Sequence, residues 1–527
     1  MSEGESRALT TGESFRAVVG SWRLLSVTLL SFSSGLPLGV VWMAIPAWLA
    51  QEGIDIKVVG LITLAQAPWS FKFLWAPLMD RYAPPFLGRK RGWVLVTQVS
   101  LLLLGLALAQ AARPPLSIGT IGAIALATAF VSASQDIAYD AYAVEVLRRE
   151  EHGLAVGARS ALARAALFIS GRVSITAAAW LGWPAVYRLL ALLYLPTMAV
   201  TWKAPEPEQR PRPPQSLRDA VWGPFVSFLG QHRALEILAF VILYKLSDNL
   251  TQALTGPFLV KMGYNAVDVG VANGTVGLVS FVAGTFLGGL LTDRVGLGRA
   301  LWICGFLQIF SNLGYAVVAV VGVNRPVMFS ALAFEMGTAG MGTGAFGVLL
   351  LRLTEKRFSG TQFALLSSLF AIPRVFSGPV AGVMADAMGW RDFYVSTLLA
   401  GVPGLVMLWR FVPWNVRDPV FHVAEPRRGA PLSRAALAGW ASLAGFLAGL
   451  LGLLGLAGLA GLKAARAGGE LDLARHLAAI LSPGTLGDAV TAASLVLTAV
   501  TVSLATAATL AARRGLKPGG ISPPPQA

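Results

Sequence analysis

Ser132-Ala133-Ser134-Gln135-Asp136-Ile137-Ala138-Tyr139-Asp140 sets two carboxylates and an amide inside a long apolar segment. Apolar residues run from Ile118 to Phe130 before it, and the chain stays weakly polar as far as Arg148. An ionisable side chain within a membrane span costs roughly 2.5–3.5 kcal/mol on insertion scales, so it is normally set against a partner or a water-filled cavity. Asp136 and Asp140 are four apart and share one face of a helix. Glu145 falls near the end of that helix. The stretch therefore reads either as a buried polar contact pinning two helices or as a substrate or proton site.

The rest of the chain supplies the membrane. Its 527 residues are 55% hydrophobic and only 13% charged, with mean hydropathy +0.64. Soluble domains carry about 25% charged residues, so this is a polytopic membrane protein. The net charge of +15 reads as basic loops on one side of a bilayer rather than as a nucleic-acid surface, because the basic residues cluster between apolar spans. The one cysteine, Cys304, excludes an intramolecular disulfide and a multi-cysteine metal site. His152, His232, His422 and His476 fall in or beside expected loops. No P-loop pattern is present, so nucleotide hydrolysis is not expected. No cofactor is expected either.

In chain order, residues 1–21 read as a cytoplasmic segment and 22–203 as a six-helix bundle. Residues 204–232 read as a cytoplasmic linker, marked by Pro205, Pro207, Pro211, Pro213 and Pro214. A second six-helix bundle is expected over 233–413, a linker over 414–434, two accessory transmembrane helices over 435–512, and a disordered cytoplasmic tail over 513–527. The fold class is all-α, with about fourteen transmembrane helices by window length. Span two, from Val58 to Met79, ends at Asp80-Arg81, and the loop after it carries Arg89, Lys90 and Arg91. That loop is cytoplasmic by the positive-inside rule, and an even span count puts both termini there. Gly35-Leu36-Pro37-Leu38-Gly39 reads as a bend in span one. In span five Arg159 can snorkel to the surface, and either Arg164 or Arg172 can pair with Asp136 or Asp140. Lys245 and Asp248 are spaced as a same-face pair. Gln308 and Asn312 share a face of span nine, Glu335 precedes a glycine-rich run from Gly337 to Gly347, and Pro373-Arg374 lies inside span eleven.

The two halves repeat. Asp80-Arg81 after span two is echoed by Asp293-Arg294 after span eight, and Gly88-Arg89 by Gly298-Arg299. Ser170-Gly171 and Ser377-Gly378 share one offset with Gly153 and Gly360. A six-plus-six repeat about a linker is the build of a rocking-bundle transporter with a site at the midplane between halves. Asp80, Arg81, Arg89, Asp293, Arg294 and Arg299 have a mechanical reading as gating loops. An aspartate ending a helix pairs with basic residues of a neighbouring segment and latches one access state. These elements resemble the signature loop of the major facilitator superfamily.

Longer matches resemble the AmpG muropeptide permease family. They are Ser34-Gly35-Leu36-Pro37, Phe71-Lys72-Phe73-Leu74-Trp75-Ala76-Pro77-Leu78-Met79-Asp80-Arg81-Tyr82, Gly88-Arg89-Lys90-Arg91-Gly92-Trp93 and Ala133-Ser134-Gln135-Asp136-Ile137. Leu243-Tyr244-Lys245-Leu246, Thr361-Gln362-Phe363-Ala364-Leu365-Leu366-Ser367 and Gly378-Pro379-Val380-Ala381-Gly382 complete the set, which covers about residues 22–413. The resemblance implies a major facilitator fold in the bacterial inner membrane. It implies proton-coupled import of N-acetylglucosaminyl-anhydro-N-acetylmuramyl peptides for peptidoglycan recycling, a flux that sets β-lactamase induction in some bacteria. The implied partners are the muropeptide, protons and the lipid bilayer, with no nucleic acid, and a monomer is expected. The sequence departs from the family at Ala143 and Gly274, where lysine is common, and at Arg172, where a small residue is usual.

For such a cargo, Gly35, Trp42, Gln66, Gln135, Gln308 and Asn312 are expected to meet the sugars. Lys72, Arg164, Lys245 and Arg374 are expected to balance the peptide carboxylates. Asp136 or Asp140 is the expected proton carrier, with Asp248 third. A facilitator for another anionic cargo, such as acetyl-CoA, is the nearest alternative. A membrane-embedded enzyme is remote, since no histidine lies at membrane depth, and a receptor would need a sizeable soluble domain.

Overall fold

The computed structural model describes residues 20–54, 63–207, 214, 216–231, 233–421, 431–466, 477–478 and 486–514. The expected N-terminal segment, the start of span two, much of the proline-rich linker, His232, His422, His476 and the end of the tail lie outside these residues. The described chain divides into two compact units, one of Met1–Ala220 with Leu235–Phe421 and one of Val221–Ala234 with His422–Ala527.

The first unit holds both halves of the repeat. Its first half consists of α1 (Trp22–Gln51), the short helices α2 (Ala67–Phe71) and α3 (Ala76–Arg81), α4 (Arg89–Ala111), α5 (Ile118–Val146), α6 (Arg149–Leu181) and α7 (Trp183–Lys203). A helix α8 (Leu217–Leu229) then occupies the end of the expected linker, because the prolines stop at Pro214 and an apolar run begins at Leu217. The second half consists of α9 (Ala234–Leu243), α10 (Leu246–Lys261), α11 (Val267–Val295), α12 (Leu297–Val321), α13 (Arg325–Leu353), α14 (Ser359–Met388) and α15 (Trp390–Phe411). Each half has its own apolar core, around Trp48, Trp183 and Tyr187 in the first and Phe258, Tyr315 and Tyr394 in the second.

Among the described residues ten helices are long and apolar enough to cross a membrane, against the expected fourteen. Two of the expected spans are interrupted. Span two passes through a 3-10 turn at Lys72–Leu74 between α2 and α3, each of which opens with a proline in its first turn. Span seven breaks at Tyr244-Lys245, between α9 and α10. Each break therefore carries a buried lysine, Lys72 or Lys245. The bend expected at Gly35–Gly39 is replaced by a π-helical turn one step later, at Val40–Ala44.

Without water to drive apolar faces together, helices in a bilayer associate through close packing of small residues. The glycine-rich run of α13 does this work. A Cβ on Gly284 of α11 would lie 1.9 Å from the Gly337 carbonyl, and one on Gly288 2.1 Å from that of Met341. Gly340 and Gly344 return the contact against Phe281 and Thr285. Gly35 and Gly39 likewise seat α1 on the backbone of α6, at Ala163 and Leu167. Residues 414–418, expected as linker, are docked: Trp414 packs on Trp302 at 5.2 Å, and the Gly298 N–H donates to the Arg417 carbonyl at 2.8 Å.

The second unit contains most of α8, from Val221 on, together with α16 (Arg434–Arg466) and α17 (Leu486–Arg514), which pack on each other. Gly445 of α16 faces the Ala499 carbonyl of α17, where a Cβ would stand at 2.6 Å.

These contacts separate two kinds of glycine. Gly288→Ala should lower the thermal midpoint in detergent by several degrees, because its methyl meets backbone. Gly378→Ala meets nothing within 4 Å and should be neutral or slightly stabilising, since alanine is the better helix former. Differential scanning fluorimetry of the two variants checks this.

Candidate functional site

Helix α5 begins at Ser117, whose hydroxyl caps Thr120, and runs unbroken past the acids. Asp136 Oδ1 accepts a 2.5 Å hydrogen bond from Ser34 of α1. Asp140 Oδ1 accepts from Arg159 Nη2 at 2.5 Å, and its Oδ2 lies 3.8 Å from Lys72 Nζ. Arg159 thus corrects two expectations. It does not snorkel, and it, rather than Arg164 or Arg172, pairs with the span-four acids. The reason is register: Arg159 stands level with Asp140 on α6, with its guanidinium 5.0 Å from the Tyr139 ring and 5.9 Å from the Phe363 ring of the other half. Gln135 donates to Ser33 at 2.5 Å and is fully buried.

Arg164 lies over the Phe281 ring at 4.3 Å, and Arg374 is exposed on α14. These two cations come from opposite halves, on α6 and α14, and neither forms an ion pair among the described residues. Arg172 fills the space beside Gly274, where a Cβ would stand 2.7 Å from its Nη1. Two of the three positions that depart from the family pattern are therefore neighbours, and a cation occupies that place from α6.

In the second half Lys245 donates to Asp248 at 2.8 Å, to the Ala339 carbonyl at 2.7 Å and to the Gln308 side chain. Asn312 donates to Ser247 at 2.7 Å. Glu335, noted in the sequence without a role, is fully buried. It accepts from Gln252 at 2.9 Å and meets the Tyr315 hydroxyl at 3.3 Å. Of the expected sugar contacts, Trp42 stands edge-on to Trp69 at 5.9 Å, and the indole N–H of each is buried without a partner among the described residues. Gln66 is half-buried near them. Gly35 is spent on helix packing, because only a residue without a side chain lets α1 approach Ala163.

The gating residues join the two halves crosswise. Asp80 of the first half pairs with Lys90 and accepts from the Gly360 N–H at 3.2 Å, the Thr361 N–H at 2.7 Å and the Thr361 hydroxyl at 2.7 Å. It so caps the N-terminus of α14, where unpaired N–H groups and the helix dipole favour an anion. Asp293 of the second half accepts from the Gly153 N–H at 3.1 Å near the start of α6. A Cβ on Gly153 would lie 2.3 Å from Asp293 Oδ1, and one on Gly360 2.7 Å from Asp80 Oδ1, so only glycine admits each carboxylate. Glu145 adds a bridge, accepting from Arg89 at 2.9 Å and from Ser359 at 2.6 Å.

Arg81 and Arg299 are not part of these latches. Arg81 lies over its neighbour Tyr82 at 5.6 Å, Arg299 is exposed, and neither makes an ion pair among the described residues. The cations come instead from Lys90 on the first turn of α4 and from Arg352, which pairs with Asp418. Arg294 offers its carbonyl to Arg417 at 3.4 Å. Burial alone would raise the Asp80 carboxyl, but Lys90 and Thr361 outweigh it and hold the group below its ordinary 3.8. Asp418 is held low in the same way, burial being overcome by Arg352.

Comparisons with known proteins agree with this architecture. The family model described as Major Facilitator Superfamily matches residues 27–361. The anhydromuropeptide permease of Escherichia coli (strain K12) is 43% identical over 382 residues, covering 72% of this chain and 78% of that protein. A Haemophilus influenzae protein is 33% identical over 404 residues, covering 74% of this chain and 95% of its own length. The solved structure of the proton:xylose symporter XylE bound to 6-bromo-6-deoxy-D-glucose superposes with a TM-score of 0.58 at 12% identity, covering 76% of this chain and 98% of that one. That likeness shows the fold alone.

Losing a charged acceptor costs about 1.5–3 kcal/mol. Asp80→Ala should therefore speed amide exchange at Gly360 and Thr361 by at least about tenfold, and Asp293→Ala should do the same at Gly153. Because the Asp80 carboxyl is held low, its contribution is fully present above about pH 4 and is lost only as pH falls through the depressed value. Exchange at Gly360, corrected for its intrinsic rate, should be flat from pH 5 to 8. Hydrogen-exchange mass spectrometry measures both.

Proposed function

This chain belongs to the major facilitator superfamily and, within it, to the AmpG family of anhydromuropeptide permeases, and we propose that it imports N-acetylglucosaminyl-anhydro-N-acetylmuramyl peptides across the bacterial inner membrane. The direction is periplasm to cytoplasm, the driving force is the proton gradient, and the use is peptidoglycan recycling. The working unit is a monomer with both termini in the cytoplasm.

The observation that carries the cargo is the Arg164–Arg374 pair. Two cations held near each other from opposite halves, with no carboxylate answering them among the described residues, repel until an anion arrives. A stem-peptide carboxylate supplies that anion, and guanidinium forks bind carboxylates in two-point geometry. An anion bound between α6 and α14 draws the halves together, which is the motion a rocking bundle needs. Trp42, Trp69 and Gln66 suit the sugar end, where unsatisfied indole N–H groups and aromatic faces meet hydroxyls and ring C–H groups.

The latches support the direction of closure. They lie beside the basic Arg89–Arg91 segment, which the positive-inside rule assigns to the cytoplasm, so the latched state is closed on that side and receives cargo from the other. Among the span-four acids Asp140 is matched by Arg159 and Lys72, whereas among the described residues Asp136 meets only the Ser34 hydroxyl within hydrogen-bond or ion-pair distance. An unmatched buried carboxyl favours its protonated form, so Asp136 is the proton carrier of this half and Asp140 a fixed ion pair.

Uptake of labelled N-acetylglucosaminyl-anhydromuramyl tripeptide into proteoliposomes tests this reading. Arg164→Ala and Arg374→Ala should each raise the half-saturating concentration by about tenfold or more, the worth of one charge-assisted contact. The same changes should move uptake of the peptide-free disaccharide much less. Equal effects on both cargoes would remove the carboxylate from the arginine site, and no uptake by folded wild-type protein would overturn the cargo.

A further inference from the structure

The second half buries two carboxylates beside a single lysine. Lys245 sits at the break between α9 and α10, and an ammonium has three N–H donors. All three are used, on Asp248 Oδ2 at 2.8 Å, on the Ala339 carbonyl at 2.7 Å and on the Gln308 side chain. Nothing remains for Glu335, which lies one helical turn before Ala339 on α13. Its carboxyl is fully buried, and its partners are neutral: the Gln252 amide at 2.9 Å and the Tyr315 phenol at 3.3 Å. Tyr394 is stacked on Tyr315 at 5.2 Å.

An ionised carboxylate buried with only neutral partners is far costlier than one matched by a cation. The charged and titratable groups around Glu335 are Lys245 at the break before α10, Asp248 on α10, Tyr315 on α12 and Tyr394 on α15. Helices α6, α11 and α14 also pack on α13, but among the described residues they bring Glu335 no hydrogen bond and no ion pair. One ammonium against two carboxylates leaves a neutral set only if one carboxyl keeps its proton. The hydrogen bonds assign that proton to Glu335, since Asp248 holds the lysine.

We propose that Glu335 is a proton-binding site of the transport cycle, loaded in the latched state seen here and discharged when Lys245 changes partners. The proposal rests on the proton-coupled reading above and adds a second carrier, in the half opposite Asp136. The switch is short. Ala339 and Glu335 are one turn apart on the same helix face, so Lys245 need only leave the Ala339 carbonyl to reach the Glu335 carboxyl. The cation then stabilises the carboxylate, and the proton leaves to water on the side open at that moment. Reversal of the helix movement returns Lys245 to Ala339 and restores the affinity of Glu335 for a proton.

Two measurements on the full-length protein test this, and they fail separately from the cargo assignment. Infrared difference spectroscopy needs no substrate. At neutral pH the wild type should show the carbonyl band of a protonated carboxylic acid that is missing in Glu335→Gln. No such difference would overturn the proposal whatever the protein carries. In proteoliposomes each coupled proton multiplies limiting accumulation by about ten for each pH unit of gradient. Glu335→Gln should therefore lower limiting accumulation about tenfold across one pH unit, and unchanged accumulation would also overturn the proposal. Should Glu335→Gln not fold, Glu335→Asp keeps a titratable group on a shorter stem. It should keep the infrared band but shift its titration midpoint and the pH optimum of uptake together. A band with an unshifted midpoint would place the titration on another residue.

Discussion

Two carboxylates placed on the first turns of the opposite half's helices hold this molecule in the state described. Asp80 caps α14 and Asp293 caps α6, so each half of the repeat supplies an acid and receives one. A helix N-terminus offers N–H groups with no internal partner and a favourable dipole, and glycine at Gly153 and Gly360 lets the acid come close. Both contacts are made by end groups of rigid helices. They can therefore break and reform as units while each half keeps its own core, which is what a rocking motion requires.

Farther into the membrane the same economy recurs. Two of the buried lysines, Lys72 and Lys245, lie where spans two and seven are broken, and each faces an aspartate. A break in a span leaves room for a polar side chain, and Lys245 donates from it to the carbonyl of Ala339 on a neighbouring helix. Asp140 and Asp248 are matched by cations, while Asp136 and Glu335 are left with neutral donors. Each half thus carries a buried carboxyl matched by a cation and another that, among the described residues, meets only neutral donors. In the first half the two lie one turn apart on α5, and in the second they stand on different helices, α10 and α13.

Much of this was legible in the chain. Composition and the spacing of apolar runs declared a polytopic helical protein, and the shared offset of Gly153 with Gly360 and the echo of Asp80 in Asp293 exposed the repeat. The Lys245–Asp248 spacing foretold their contact, because three residues along a helix bring side chains together. What stayed hidden was every contact between helices. Period assigns a residue to a face but does not say which helix it meets, so the sequence reads Arg159 as able to snorkel and either Arg164 or Arg172 as the partner of the acids. The crosswise pairing of Asp80 with Gly360 could not be read from sequence for the same reason. Gly35 looked like part of a site because small residues mark both ligand approach and helix packing, and only the position of Ala163 tells them apart. Glu335 was visible as an acid in a span, and its lack of a cation emerged only once all the donors of Lys245 had been placed.

The central claim is that the crossed caps keep one face shut and that opening this face requires their release. Spin labels on cysteines introduced at the exposed positions Glu150 and Arg299, one near the start of α6 and one near the start of α12, report the separation of the halves beside the Asp293 cap. The native Cys304 is buried and is replaced by serine. Double electron–electron resonance should give one short population in the otherwise unaltered protein. A second, longer population should dominate when Asp80 and Asp293 are both changed to alanine. An unchanged distribution in that double variant, in protein that remains folded, would contradict the claim.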